Sequence, residues 1–200
     1  HRAAHWYAEH HMLPEAIEHV LAVEDFGWAA DLISATGEAT LARSEVATFR
    51  RWLGALPEQE ICRRPALCVY QAWALFWSGR QIEEIEMWLG RLTNLTDHQV
   101  GQVAVLRALL ALYRGVPSET AAQVRVALDH LGADDLLFRG MVSALNVFVL
   151  LEGGDVSPTD GDLLIHVARE AAASGNVFAA VITLSALGEF HMRRGRLAEA

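Results

Sequence analysis

The chain has no lysine: all sixteen of its basic residues are arginine. This excludes lysine Schiff-base chemistry and a P-loop lysine within its 200 residues. Cysteine is scarce. Cys62 and Cys68 are the two present, too few for a disulfide framework, and their spacing fits neither a CxxC zinc site nor a CxxC redox motif. We read them as buried thiols in a reduced, cytoplasmic setting. Long apolar runs are missing too. The two longest, Met141 to Leu151 and Val177 to Leu187, are interrupted by Ser143, Asn146, Thr183 and Ser185 and are too short to cross a bilayer, so no membrane partner is expected. Positive charge is in deficit, with a formal net charge of −9, which argues against direct nucleic-acid binding by this chain. His1-Arg2-Ala3-Ala4 leads into an aromatic, charged segment rather than an apolar core, so no signal peptide is expected. The start at His1 and the end at Ala200, mid-pattern, read as an excised fragment.

What is abundant is apolar surface: 52% of residues are hydrophobic and 8% aromatic. That load suits helices buried on two sides, as in stacked helical pairs. The organising stretch is Ser44 to Gly79. Ser44 is the expected N-cap of a helix carrying Val46, Phe49, Trp52, Leu53 and Leu56. Pro57 ends it, because proline cannot continue the hydrogen-bond ladder. Pro65 suits the first turn of the next helix, whose apolar stripe is Leu67, Tyr70, Ala74 and Trp77 and which Ser78-Gly79 closes. Two such helices cannot bury their faces alone and need similar neighbours.

The rest of the chain repeats this grammar. Helices are expected over about 2–11, from Leu13-Pro14, and from an Asp25 cap to a break at Gly37, with a short piece at 39–42. Further ones fall near 82–92, 98–114 (Val103, Leu106, Leu110 and Tyr113 on one face), from a Ser118 cap to 131, from Asp134-Asp135 to 151, and over 161–173 and 177–194. Glu152 to Asp160 is the longest turn-rich stretch. No segment alternates at period two. The fold class is therefore all-α, with roughly a dozen helices joined by short turns.

The helices recur as pairs with a glycine between them. Leu187-Gly188, Gly195 and Ala200 match the L-G pair, turn glycine and small residue of a tetratricopeptide (TPR) repeat, although Leu184 and His191 replace its usual aromatics. Gly79 and Gly115 occupy the corresponding turns of earlier copies. We expect a TPR-like helical-repeat solenoid, a right-handed superhelix of antiparallel helix pairs. Gly188 and Ala200 would sit where paired helices approach closely. Residues 44–200 would form the repeats, truncated at the C-terminal end, and residues 1–43 a helical entry segment joining an upstream module to them.

The ordered series of motifs points further. His1-x-Ala3-Ala4-x-Trp6-Tyr7 is followed by Leu13-Pro14-Glu15-Ala16-Ile17-Glu18-His19 and Asp25-Phe26-x-x-Ala29-Ala30-x-Leu32-Ile33. Then come Thr48-Phe49-x-x-Trp52-Leu53-x-Ala55-Leu56-Pro57 and Arg64-Pro65-x-Leu67-Cys68-x-x-x-Ala72-Trp73-Ala74. The series resembles the sensor-region entry of MalT-like regulators, the large ATP-binding LuxR-family transcription activators of the STAND class. It covers about residues 1–90, and the remainder only as generic helical repeats. The resemblance implies an upstream nucleotide-binding module and a downstream helix-turn-helix, with this region binding a small-molecule inducer or a regulatory protein and contacting other modules of the parent chain. It implies ATP only in that upstream module, and no cofactor, enzyme activity or DNA binding here. A plain TPR adaptor for a peptide or protein partner is the alternative. An all-α enzyme is the third reading, disfavoured because no acid pair or metal-ligand set lies at a workable spacing.

The residues expected to contact ligand or partner are Arg63, Arg64, Tyr70, Trp73 and Trp77. Arg63-Arg64 lies in a link between helices, and Trp77 adjoins a turn, which should leave it partly exposed. All six tryptophans fall before residue 90. They could form an aromatic platform, but ordinary helix-pair packing is the simpler use. Other pairs have bland readings as well. Arg50-Arg51 and Arg193-Arg194 suit a solvated face, and Glu83-Glu84-Glu86 and Asp134-Asp135 suit exposed helix starts. His1, His5, His10 and His11 lack ligand geometry, so no metal site is expected.

Overall fold

Helical periodicity governs the chain throughout. Its computed structural model is 81% helix, with no strand among the described residues, which are 2–43, 45–153, 158–173, 177–193 and 195. In order the helices are α1 (Arg2–Glu9), α2 (Leu13–Ala22), α3 (Phe26–Ala42), α4 (Val46–Ala55), α5 (Glu58–Cys62) and α6 (Pro65–Trp77). They continue as α7 (Ile82–Leu89), α8 (Asp97–Tyr113), α9 (Pro117–His130), α10 (Leu136–Gly153), α11 (Pro158–Ala173) and α12 (Val177–Arg193). They gather into two compact units, His1–Leu41 with Glu45–Leu95, and Ala42–Ser44 with Thr96–Ala200.

In the first unit the apolar spacings named above become the core. Phe49, Trp52 and Leu53 of α4 and Leu67, Val69 and Trp73 of α6 are all at most 1% exposed. Each large side chain so buried contributes about 2–3 kcal/mol of transfer free energy. Pro65 stands in the first turn of α6 as expected. Asp25 caps α3 as expected, its Oδ1 accepting from the Trp28 N–H at 3.2 Å. Ser44 lies outside the described residues, and the N-cap position of α4 falls on Glu45, which makes no side-chain cap bond. The link after Pro57 is itself a helical turn, α5.

Gly37 does not break α3, which runs on to Ala42. The glycine has a packing use instead. A Cβ there would lie 2.4 Å from Cε2 of Tyr70, so the missing side chain is what lets α6 press its tyrosine against α3.

In the second unit α9 packs along α8, α12 along α11, and α10 against both α9 and α12. Thr96 starts α8 with a capping box. Its Oγ1 accepts from the Gln99 N–H, while the Gln99 side-chain oxygen accepts from the Thr96 N–H at 3.0 Å. Ser118 is not a cap: α9 begins one residue earlier, with Pro117 in its first turn. Asp135 caps α10, accepting from the Phe138 N–H at 3.1 Å, and is buried rather than exposed as its position at a helix start suggested. Tyr113, expected on the apolar face of α8, is 73% exposed at the end of that helix. Within the expected turn-rich stretch 152–160, the helices reach Gly153 and resume at Pro158; residues 154–157 lie outside the described residues.

The paired-helix grammar has a local signature. Gly79, Gly115 and Gly195 all take left-handed φ, at +64°, +70° and +71°, the region that costs other L-residues strain. Close approaches between helices of this unit fall at Gly101 and Gly161. A Cβ on Gly101 would meet Leu131 Cδ2 at 2.6 Å, and one on Gly161 would meet Phe190 Cε1 at 2.8 Å. Gly188 is half-buried, and Ala200 lies outside the described residues.

Candidate functional site

Of the residues expected to contact a ligand, the structure brings three together in the core of α6. Trp73 is fully buried, Tyr70 is 7% exposed and Trp77 is half-buried. The Trp73 ring lies 5.0 Å from that of Trp77 and meets Phe76 edge-on, while Tyr70 meets Phe49 edge-on at 5.7 Å. Trp52 and Trp88 are buried as well, and among the six tryptophans Trp6 is the one that is mainly exposed, at 51%. These rings pack helices against one another. The partial exposure of Trp77 agrees with its place beside the turn.

The two arginines of the α5–α6 link behave differently. Arg63 is largely exposed and pairs with Glu60 at 2.5 Å. Arg64 is a tertiary tie: it donates to Asp31 at 2.9 Å, to Glu60 at 2.8 Å and to the Gly27 carbonyl at 3.0 Å, fastening the start of α6 to α3. These donations, Glu60 foremost, outweigh the pull of burial and raise the Arg64 pKa. Reciprocally, the hydrogen bond from Arg64 holds Glu60 below the usual carboxylate range. Elsewhere Arg51 pairs with Glu18, which also accepts from the buried Trp52 indole at 2.7 Å. The early histidines sit on aromatic rings: His5 lies 4.3 Å from Trp28, and His10 stacks on Trp6 at 4.2 Å. The two cysteines differ from the expectation that both are buried. Cys68 is, but Cys62 is exposed at the end of α5.

A concave feature with room for a small molecule lies in the second unit, between α10 and α11. It encloses about 570 Å³, within the range of roughly 300–1,000 Å³ typical of small-ligand sites. Arg139, Gly140 and Ser143 of α10 form one wall, Val167, Glu170, Ala171 and Ala173 of α11 the other, and Ala133 lies at one end. The small residues make the space; the polar ones give it character. The Arg139 guanidinium donates to the Leu131 carbonyl at 3.2 Å, which fixes its direction, and among the described residues it has no carboxylate partner. Ser143 donates its proton to the Arg139 carbonyl at 3.0 Å, leaving its lone pairs to accept. Across the groove the Glu170 carboxylate lies 3.3 Å from Nε2 of His166, one turn back on the same helix.

Sequence reasoning singled out none of these residues. The spacings 139–143 and 167–171 each put their members on one helix face. Nothing in a periodicity tells which two faces will meet across a gap. A small-residue bias on both helices (Gly140, Ala171, Ala173) is the one signal that pointed there.

This chain is similar to the HTH-type transcriptional regulator MalT of Cronobacter sakazakii (strain ATCC BAA-894), with 29% identity over 164 residues. The match takes in 78% of this chain, more than residues 1–90 could supply, and 18% of the relative. No family model matches the chain, and no solved structure matches it. Among the described residues no helix is long and apolar enough to cross a membrane. In sequence the chain is distantly similar to that transcriptional regulator, and it spans less than a fifth of that protein's length.

Proposed function

We propose that this chain is the ligand-sensing and protein-interaction region of a MalT-like, LuxR-family transcriptional regulator of the STAND class. It takes up an inducer or partner and couples that binding to activation of the parent. The observation that carries the reading is the similarity to MalT over 78% of the chain, joined to an all-helical architecture whose turn glycines share left-handed φ. We read that architecture as a TPR-like solenoid. The α10–α11 groove is the small-ligand site: an arginine with a fixed direction recognises an acidic or strongly hydrogen-bonding group, and the small residues admit its body. In this reading the chain is not an enzyme and works in the cytoplasm, with ATP handled by another module of the parent.

The coupling is a population shift. A ligand that binds the active arrangement more tightly than the resting one moves the parent by that difference in affinity and no more. Two measurements test this. Reading the coding sequence on both sides should find a P-loop upstream and a helix-turn-helix downstream; helical repeats alone on both sides would sink the regulator reading. A thermal-shift screen of small polar ligands should find one whose binding weakens at least tenfold in Arg139→Gln, since a hydrogen bond to a charged group contributes about 1.5–3 kcal/mol. An unchanged affinity in that variant would remove the groove from the account.

The adaptor alternative is favoured by one observation. Val177, Val181 and Leu184 of α12, each 55% exposed, and Met192, 50% exposed, line one apolar stripe of that helix. Capture of a helical peptide that is abolished by Leu184→Glu would support it.

A further inference from the structure

We propose that Cys62 and Cys68 form a redox pair, a site where a peroxide converts two neighbouring thiols into a reversible disulfide. They are the two cysteines of the chain, and the fold brings them to one place. Cys68, in the first turns of α6, is 2% exposed. Its Sγ donates at 3.3 Å to the carbonyl of Ile61, the residue immediately before Cys62. Cys62 is exposed. Nη1 of Arg91 lies 3.9 Å from the Cys62 sulfur and is held there by Glu58 at 2.5 Å.

One thiol is open to solvent with a second behind it, which is the arrangement of an attacking and a resolving cysteine. Burial, reinforced by the charge and hydrogen bonding of Cys62, pushes the Cys68 thiol up to about 11. Cys68 therefore stays protonated at neutral pH and does not meet the oxidant first. The order of events follows. The Cys62 sulfur attacks one oxygen of hydrogen peroxide, the O–O bond breaks, and water leaves with the thiol proton, giving a sulfenic acid. Arg91 is placed to donate a hydrogen bond to the departing oxygen. The Cys68 sulfur then attacks the Cys62 sulfur, the S–O bond breaks, and the hydroxyl leaves as water with the Cys68 proton. Two thiols and one peroxide become a disulfide and two waters.

The pair is independent of the groove and of the regulator reading. Its structural consequence is local to the first unit. The bond would tie α5 to α6 across Arg63-Arg64-Pro65, the link through which Arg64 holds α3.

The test treats the reduced chain with hydrogen peroxide, quenches with N-ethylmaleimide under denaturing conditions, and reads intact mass and a tryptic map. The expected product is a monomer that has lost two hydrogens, takes up no maleimide, yields a peptide joining Cys62 to Cys68, and reverts with dithiothreitol. In Cys68→Ser the Cys62 sulfenic acid should persist and be trapped by dimedone. In Cys62→Ser the remaining thiol should stay unreacted. Arg91→Leu should slow disulfide formation several-fold without changing the product. The proposal is overturned if the wild-type Cys62 is over-oxidised while Cys68 remains open to maleimide, or if the disulfide joins two chains. Both readings come from the wild-type protein, so misfolding of a variant does not protect the proposal.

Discussion

Replacing Gly37 by alanine sets two opposed effects against each other, and the structure decides their sum. Alanine is favoured over glycine inside a helix by about 1 kcal/mol, so on local grounds the change stabilises. The tertiary effect runs the other way. The new methyl carbon would fall 2.4 Å from Cε2, 2.7 Å from Cδ2 and 3.0 Å from Cζ of Tyr70, where carbon atoms prefer about 3.5–4.0 Å. The ring must retreat by about an ångström, yet it is 7% exposed and its edge contact with Phe49 holds it. Overpacking of this kind costs about 1–3 kcal/mol, so Gly37→Ala should destabilise the first unit by up to about 2 kcal/mol net. Gly54, in α4 of the same unit, supplies the control, because a Cβ there meets nothing within 4 Å. Gly54→Ala should stabilise by about 0.5–1 kcal/mol. Both effects are read from urea unfolding followed by tryptophan fluorescence, and the propensity term cancels in the comparison. A Tyr70→Leu background should relieve the Gly37 variant, exposing the coupling directly. Equal stabilisation by the two alanines would refute the Gly37–Tyr70 contact.

Two further outcomes follow from polar contacts of the first unit. Glu18→Ala strips the acceptor from the buried Trp52 indole and should cost about 1–3 kcal/mol. Glu18→Gln keeps an acceptor and should lose much less, so equal losses in the two variants would count against that bond. Glu60 has a depressed pKa in the folded chain, first through the Arg64 hydrogen bond and then through the charges of Arg63 and Arg64. Its contribution is therefore complete above the ordinary carboxylate value and disappears as pH falls through the lower, folded value. The acid limb of the stability curve, below about pH 4.5, should flatten in Arg64→Gln; a limb identical to wild type would contradict the assignment.

The all-helical fold was legible because three signals agreed: apolar residues at helical spacing, prolines at first turns, and glycines at helix ends. Pro65, Asp25 and Gly79 acted as their chemistry requires. Gly37 did not, because the same missing side chain that weakens a helix also opens it to a neighbour. Sequence cannot distinguish a glycine that stops a helix from one that lets a ring in. Ser118 misled for a related reason: Pro117 is already fit for the first turn, so the helix starts before the serine can cap it.

The candidate site was the least legible part. Trp73 and Tyr70 carry ligand-binding chemistry but are placed by α6 inside the core, since large aromatic rings release the most free energy when wholly buried. Arg64 reads as a surface charge, yet it closes on a carboxylate and a carbonyl from a helix more than thirty residues earlier.

What the sequence determined by itself is local: helix content, turn positions, the exclusion of lysine-dependent chemistry, and a distant family likeness. These rest on the chain's own dihedral preferences and on residue identity, which need no partner. Only the tertiary structure decided that Cys62 and Cys68 share one place, that Arg139 and Glu170 border one groove, and that Gly37 admits Tyr70. Each of these depends on which helix faces meet and at what depth, a choice made by packing the whole unit at once.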